Sequence, residues 1–178
     1  VAGGGAAMLS QRLMAEEGVF IVLGLVAMLA GLLGISLYLA LRFEWSFAFG
    51  ALVSTAHDLI GIIALVVLLG TELNIIHIGA FLTVMGYSIN DTIVIYDRIR
   101  ERLQTADKGE KMEDIMNEAI NSTLSRTLLT SLSTIAALIA LLALGGPAMR
   151  DFSLTMLLGI FIGTYSSIYI ATPVVLWV

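Results

Sequence analysis

The chain has 178 residues, of which 58% are hydrophobic and only 13% are charged, and its formal net charge is -5. This composition, with apolar runs longer than a soluble core helix needs, indicates an integral membrane protein. The chain has no cysteine and only two histidines, so it offers no disulfide, thiol nucleophile or clustered metal site, and nothing in it suggests nucleic-acid binding.

Five runs of mostly apolar residues are each long enough to cross the roughly 30 Å hydrocarbon core of a bilayer as an α-helix. In chain order they are Val19 to Leu41, Phe47 to Leu69, Asn74 to Tyr96, Leu124 to Leu144 and Phe152 to Val178. No alternating, strand-length segments accompany them, which argues against a β-barrel. The sequence therefore predicts an all-α, polytopic membrane helix bundle with five transmembrane helices.

Basic residues are shared unevenly between the two sides when the five spans alternate in direction. One side receives Arg42, Arg98, Arg100, Arg102, Lys108 and Lys111. The other side receives Arg12 and Arg150. By the positive-inside rule the first side is cytoplasmic, and the N-terminal end is expected outside.

This topology divides the chain into an external part and a membrane part. Residues 1–18 are expected to be the end of an external, periplasmic segment. Residues 19–178 are expected to form the transmembrane domain, with a cytoplasmic connection at residues 97–121. The chain begins on Val1 without a recognisable signal sequence, which indicates a fragment of a longer protein.

An amphipathic pattern occurs within the cytoplasmic connection. Apolar residues recur there at i, i+3, i+4, i+7 and i+8, namely Met112, Ile115, Met116, Ala119 and Ile120. This spacing predicts a helix that lies on the membrane surface and leads into the fourth span.

Three ionisable residues lie well inside predicted spans: Asp58, Asp91 and Arg126. Burying such a group in lipid costs at least about 2.5 to 3.5 kcal/mol, so each must be paired, hydrated or functional. Asp58 shares a helix face with the small residues Ser54 and Gly61. We therefore expect Asp58 to face protein and not lipid.

His57 precedes Asp58 and points about 100° away from it around the helix. Two interpretations stay open. His57 is either a second proton carrier or a membrane histidine that is hydrogen-bonded to a neighbouring helix.

Asp91 lies about 9 Å from the cytoplasmic end of its helix, and Arg126 lies at a similar depth on the next, antiparallel helix if that span begins near Ile120. Pairing would remove most of the cost of burying either charge. Thr123, Thr130 and Ser133 follow the same helix face as Arg126 and offer further hydrogen-bonding partners. A proton-responsive pair and a static salt bridge that only fixes helix packing both fit this pattern.

The last span contains the pattern G-x-x-x-G from Gly159 to Gly163. Small residues at this spacing allow two helix backbones to approach each other closely, so both glycines are predicted to be helix-packing positions. The pattern is common in membrane helices of every function.

A resemblance to a known family is carried by six segments: RFEW, AHDLIG, GYSINDTIVIYDRIRERL, LSRTLLTS, MRDF and GIFIGTYSSIYIATP. From residue 19 to 178 the chain resembles SecF-type members of the SecD/SecF protein-export family, from their second to their sixth helix. SecD-type members typically show Val-Asp-Ala-Asn where this chain has Ile89, Asn90, Asp91 and Thr92. The resemblance implies a bundle of the resistance-nodulation-division (RND) transporter type.

The resemblance also implies a function. SecF-type proteins work with SecD beside the Sec channel (SecYEG) and use the proton-motive force to promote late preprotein translocation across the bacterial or archaeal inner membrane. By resemblance, Asp91 is the proton-responsive carboxylate, Arg126 is the arginine that accompanies it, and Asp58, in the pair with His57, is a further characteristic position. No enzymatic activity is expected, and no cofactor beyond the coupling ion, a proton or sodium.

Two other functions fit a membrane bundle of this kind. One is an RND-type exporter of small molecules, which would bind its substrate in large external domains. The other is a structural scaffold of the export channel without ion coupling, which would tolerate a neutral residue at Asp91. In all three cases the lipid bilayer is a partner of the chain.

Overall fold

The computed structural model describes residues 2–71 and 73–177, with side chains for 18–71, 73–147 and 149–177, and all regular secondary structure among them is helical. The α-helices are α1 (Ala2–Arg42), α2 (Trp45–Leu68), α3 (Ile75–Gln104), α4 (Met112–Leu144), α5 (Pro147–Ser166) and α6 (Thr172–Trp177). A short π-helix (Ser167–Ala171) joins α5 to α6, so that these elements form one rod.

Among the described residues, five helical rods are long and apolar enough to cross a membrane. They are Gly18–Arg42, Trp45–Leu68, Ile75–Gln104, Met112–Leu144 and Met149–Trp177. Their number and order agree with the five apolar runs of the sequence. The predicted all-α bundle with five membrane helices is confirmed.

Helices α3 and α4 both extend beyond their predicted spans. α3 ends at Gln104 and α4 begins at Met112, so only residues 105–111 lie outside helices in the predicted connection at 97–121. An exposed ion pair between Arg98 and Glu101, 2.6 Å apart, lies one turn along this extension of α3. Such a pair supports a helix that has left the apolar part of the membrane.

The apolar face of the segment predicted as a surface helix packs against protein. Met116 and Ala119 are buried in one cluster with Ile99 of α3. Arg102 ties the two helices together, because its guanidinium contacts the Glu118 carboxylate at 2.7 Å. The pattern identified the apolar face, but α3 continues far enough to cover it, so the segment is the first part of α4 and not a separate helix on the membrane.

Local sequence explains where two of the helices begin. The side-chain oxygen of Asn74 accepts hydrogen bonds from the backbone N–H groups of Ile76 and His77 at 3.0 and 3.2 Å, and these bonds cap α3. Gly146 adopts φ 73°, and Pro147 follows it as the first residue of α5. Glycine tolerates positive φ and proline suits the first helical position, so the turn between α4 and α5 is short.

Tyr96 braces the π-helix from the neighbouring α3. Its hydroxyl donates to the carbonyl of Ala171 at 2.9 Å, and the side chain is fully buried. Gly50 leaves the space for this contact, since a Cβ there would lie 2.8 Å from the same carbonyl oxygen. Pro173 follows and has no N–H to donate, so the wide turn and the Tyr96 contact occur where regular helical bonding is interrupted.

Buried side chains form two apolar clusters, one in each half of the bundle. Toward the predicted external side, Ile62, Val84 and Ile160 belong to one cluster. Toward the predicted cytoplasmic side, Ala51 and Tyr96 belong to the other. α1 contributes one buried side chain to each cluster, and the level between them is polar.

Candidate ion-coupling site

A layer of buried polar side chains crosses the middle of the bundle between the two apolar clusters. Helices α2, α3 and α4, and the rod of α5 and the π-helix, each contribute to it. Its members are Ser54, Thr55, Asp58, Ser88, Asp91, Thr92, Thr123, Thr127, Ser131, Ser166 and Ser167. A polar layer at this depth is costly in lipid, so its side chains must satisfy one another or have a function.

Asp58 of α2 is the most enclosed acid in this layer. It is 0% exposed, and its Oδ2 accepts a hydrogen bond from the hydroxyl of Ser88 at 2.5 Å. Beside it, Ser54 donates to the hydroxyl of Ser166 at 3.1 Å. Asp58 therefore faces protein, as the small residues on its helix face predicted.

The two glycines of the G-x-x-x-G pattern bring α5 against α3 at this level. A Cβ on Gly163 would lie 3.1 Å from the Cβ of Ser88 and 3.7 Å from Oδ2 of Asp58. A Cβ on Gly159 would overlap the side chain of Val84. Both glycines thus lie at the contact between the two helices, and Gly163 leaves space for the Ser88 side chain.

Asp91 lies three residues after Ser88 on α3, which is nearly one helical turn. Its side chain is buried, with 4% exposure. Within the described part of the chain, Oδ2 of Asp91 is a buried oxygen without a hydrogen-bond partner. A carboxylate in this state is costly unless it is neutralised or acquires a partner.

Arg126 is near Asp91 but does not form an ion pair with it. It lies on α4, which packs against the helix that carries Asp91. Even so, the described residues contain no contact of 4.0 Å or less between the two charged groups, and Arg126 is exposed on α4. The two residues lie at similar depth on neighbouring helices, but the arginine side chain points toward the outside of this bundle.

The polar stripe beside Arg126 does not reach Asp91. The hydroxyls of Thr123, Thr130 and Ser133 donate to carbonyl groups of α4 itself. Hydroxyls in membrane helices satisfy themselves in this way when no other partner is near. The hydrogen-bonding partners expected for the pair are therefore not provided by this stripe.

His57 contacts its neighbour in sequence. Its Nδ1 lies 3.4 Å from Oδ1 of Asp58, while the ring is 45% exposed on the outside of α2. It is therefore placed where it could exchange a proton with Asp58, and no hydrogen bond to another helix is found for it among the described residues. Its role as a proton carrier stays a prediction.

Sequence reasoning missed Ser88, which donates to Asp58 from the helix that carries Asp91. The signal was present, because Ser88, Asp91 and Thr92 are spaced i, i+3 and i+4 and share one face of α3. A serine in a membrane helix is too common to identify on its own. Its importance depends on Asp58 from another helix.

Helices α3 and α4 also expose polar residues at membrane depth. Asn90 and Thr83 are exposed on α3, and Arg126, Thr130 and Ser133 are exposed on α4. Lipid can satisfy neither the Asn90 amide nor the Arg126 guanidinium, so this polar face of α3 and α4 requires a protein or aqueous neighbour.

Comparisons with known proteins agree with the fold. Residues 14–178 match the family described as "Protein export membrane protein SecD/SecF, C-terminal". The chain belongs to the SecD/SecF family of protein-export membrane proteins. With five membrane helices it is a multi-pass protein of the inner membrane.

Two kinds of relative are similar to this chain, a SecF subunit and a SecDF subunit. It is 49% identical to protein translocase subunit SecF of Thermodesulfovibrio yellowstonii over 153 residues, which cover 85% of this chain and 51% of that protein. It is 46% identical to protein translocase subunit SecDF of Thermus thermophilus over 150 residues, which cover 84% of this chain and 20% of that protein. The chain thus spans about half the length of its SecF relative.

A solved structure shows the same fold. The crystal structure of SecDF from Thermus thermophilus, described as a translocon-associated membrane protein, matches with a TM-score of 0.82 and 45% identity. The match covers 86% of this chain and 21% of that one. This solved relative therefore confirms the RND-type membrane bundle that was expected from the sequence.

Proposed function

We propose that this chain is the membrane part of a SecF subunit that, together with SecD, uses the proton-motive force to promote late preprotein translocation. The observation that carries the proposal is the Asp91 carboxylate, which is buried at mid-bundle without a hydrogen bond to Oδ2. A static structural acid would be expected to have its oxygens satisfied. An unsatisfied one suits a group that takes up and releases a proton.

The charge of Asp91 would set the relative position of α3 and α4. Arginine stays protonated in proteins, so only the acid of this pair can change its charge. Ionised, Asp91 attracts Arg126; protonated, it loses most of that attraction and gains an O–H donor. The two protonation states therefore favour different helix arrangements.

A movement of α3 would also affect Asp58 in α2. Ser88 donates to Asp58 and lies on the same helix as Asp91. Any rotation of α3 that moves Asp91 therefore also moves the donor of the Asp58 hydrogen bond. His57, 3.4 Å from Asp58, is placed to exchange a proton with it.

The available energy is sufficient for a conformational bias. A proton that moves down a potential of 100 mV releases roughly 2.3 kcal/mol, which corresponds to roughly a fiftyfold change in the ratio of two states. ATP is not needed for a shift of this size. Sodium is the alternative coupling ion, and replacing sodium with potassium in the assay distinguishes the two.

SecD is the proposed partner of the polar face of α3 and α4. The SecDF relative joins both names in one chain, and this chain covers only 20% of it. A membrane neighbour would cover Asn90 and Ser133 and give Arg126 a less exposed setting. A photo-crosslinker at either residue is expected to capture SecD, whereas one at the exposed Leu33 of α1 is not.

The Sec channel and preproteins are proposed as the further partners of the complete protein. The test measures late translocation in inverted membrane vesicles, and the readout is the fraction of a preprotein that becomes protected from protease. Asp91→Asn should abolish the stimulation by proton-motive force, because the amide cannot cycle a proton. The control is Asp97→Asn, six residues along the same helix and exposed, which should retain it.

Equal stimulation in both variants would contradict the proposal and favour the structural scaffold. If cells with Asp91→Asn lost resistance to small molecules while protein export stayed normal, the result would favour the RND-type exporter. Equal amounts of each variant in the membrane are required, so that stability and coupling are not confused.

A further inference from the structure

A cavity of about 400 Å³ opens at the end of the bundle that is predicted to be cytoplasmic. It lies between the turn that joins α1 to α2 and the last turns of α3. Its lining includes Arg42, Phe43, Glu44, Arg100, Leu103 and Gln104. None of these residues belongs to the polar layer at mid-bundle.

Two guanidinium groups in this cavity are held against one aromatic ring. The Cζ atoms of Arg42 and Arg100 each lie 5.9 Å from the centre of the Phe43 ring. Phe43 in turn packs against Phe47 and Tyr96, with ring centres 5.9 and 6.5 Å apart. The ring is therefore fixed by the core, and it positions two positive charges beside one opening.

These two arginines differ from the others at this end of α3. Arg98 contacts Glu101 at 2.6 Å, and Arg102 contacts two carboxylates at 2.7 Å. Among the described residues, no carboxylate lies within ion-pair distance of Arg42 or Arg100. Both are thus available to bind an anion.

The same turn also leads to an apolar groove on the membrane side. A second cavity of about 300 Å³ lies between α1 and α2, and its lining includes Leu33, Leu37, Trp45 and Leu52. From Trp45 to Leu52 the groove follows α2 for seven residues, which is about 10 Å of helix. Trp45 is 79% exposed at its mouth, where tryptophan commonly marks the interface between headgroups and acyl chains.

We propose that this end of the chain binds a phosphatidylethanolamine molecule of the cytoplasmic leaflet. Its phosphate would lie between Arg42 and Arg100, and its ammonium group would face the Glu44 carboxylate in the same cavity. One acyl chain would lie along the groove between α1 and α2. Basic pockets on the cytoplasmic side of membrane helices suit lipid phosphates, and the acid beside them selects a headgroup that carries an amine.

The test is native mass spectrometry of the full-length protein in detergent, with any SecD that co-purifies. Phosphatidylethanolamine, phosphatidylglycerol and phosphatidylcholine are added at equal concentrations. Phosphatidylethanolamine should bind most tightly to the natural protein. Arg42→Gln and Arg100→Gln should each weaken it about tenfold, since each removes a charged hydrogen-bond donor.

Two further variants separate the parts of the site. Arg98→Gln is the matched control, because Arg98 already has a carboxylate partner, and it should leave binding unchanged. Glu44→Gln should remove the preference for phosphatidylethanolamine over phosphatidylglycerol, with binding of the latter retained or strengthened.

Several results would overturn the proposal. Unchanged phosphatidylethanolamine binding in Arg42→Gln and Arg100→Gln would show that the phosphate lies elsewhere. Equal binding of phosphatidylglycerol by the natural protein would remove the role of Glu44. Displacement of the lipid by millimolar inorganic phosphate would show that the cavity is a site for a soluble anion.

Discussion

Ser88 and Asp58 join α3 to α2 in the centre of the bundle: the Ser88 hydroxyl donates to Oδ2 of Asp58 at 2.5 Å, and both residues are 0% exposed. In such a dry environment a hydrogen bond to a carboxyl group is stronger than in water, and its loss costs more. Gly163 of α5 lies against this contact.

Ser88→Ala should therefore lower the free energy of unfolding by about 1 to 3 kcal/mol, because it removes a donor from the buried Asp58. Ser125→Ala is the control, since Ser125 is exposed on α4 and should be near neutral. Denaturant unfolding of the purified protein in detergent measures both. If Ser88→Ala lowered the free energy of unfolding no more than Ser125→Ala does, the hydrogen bond between Ser88 and Asp58 would contribute little to stability.

Gly159→Ala should destabilise the bundle by about 1 to 3 kcal/mol, because the added methyl group overlaps Val84. Val84→Ala in the same chain should recover part of this loss, and the double-mutant cycle should give a coupling free energy above 0.5 kcal/mol. Gly86→Ala is the control, as a Cβ there meets no atom within 4 Å. Strict additivity of Gly159→Ala and Val84→Ala would mean that α3 and α5 are further apart than described.

If Arg126 compensates the charge of Asp91, as proposed, Arg126→Leu should destabilise the protein, since it leaves the buried carboxylate without a compensating positive charge. Adding Asp91→Asn should restore stability but not stimulation of export, because the packing cost disappears while the proton cycle is still absent. Unfolding in detergent and the vesicle assay are measured at matched expression. Additive stability losses would show that the two residues are not coupled, and restored export would show that neither charge drives the cycle.

The predicted orientation can be tested by labelling, because the chain has no cysteine of its own. A cysteine at Lys108, in the turn between α3 and α4, should react with an impermeant reagent only from the cytoplasmic side. A cysteine at Thr71, between α2 and α3, should react only from outside. Reaction of both from one side would refute the alternation of the spans.

Much of the fold was predictable from the sequence, because each membrane helix needs a long apolar run that is easy to recognise. The helix ends were harder to place. α3 continues past Tyr96 because Arg98 and Arg102 find carboxylates that support a helix in water. Whether a polar segment stays helical depends on such contacts, and hydropathy does not register them.

The candidate site was predictable as a set of residues but not as an arrangement. Burial cost alone selected Asp58, Asp91 and Arg126. Depth along a helix follows from counting residues, but rotation about the helix axis does not, which is why the closed pair of Asp91 with Arg126 was expected and is absent among the described contacts. Ser88 required knowledge of which helix faces Asp58, and this comes from tertiary packing.

The central claim is that Asp91 takes up and releases the coupling proton, and infrared difference spectroscopy of the full-length protein in lipid tests it most directly. Acidification should produce the carbonyl band of a protonated carboxylic acid, and this band should be absent from Asp91→Asn and present in Asp97→Asn. Replacing sodium with potassium should not change it. The same acid band in Asp91→Asn as in the natural protein would contradict the claim, because another group would then carry the proton.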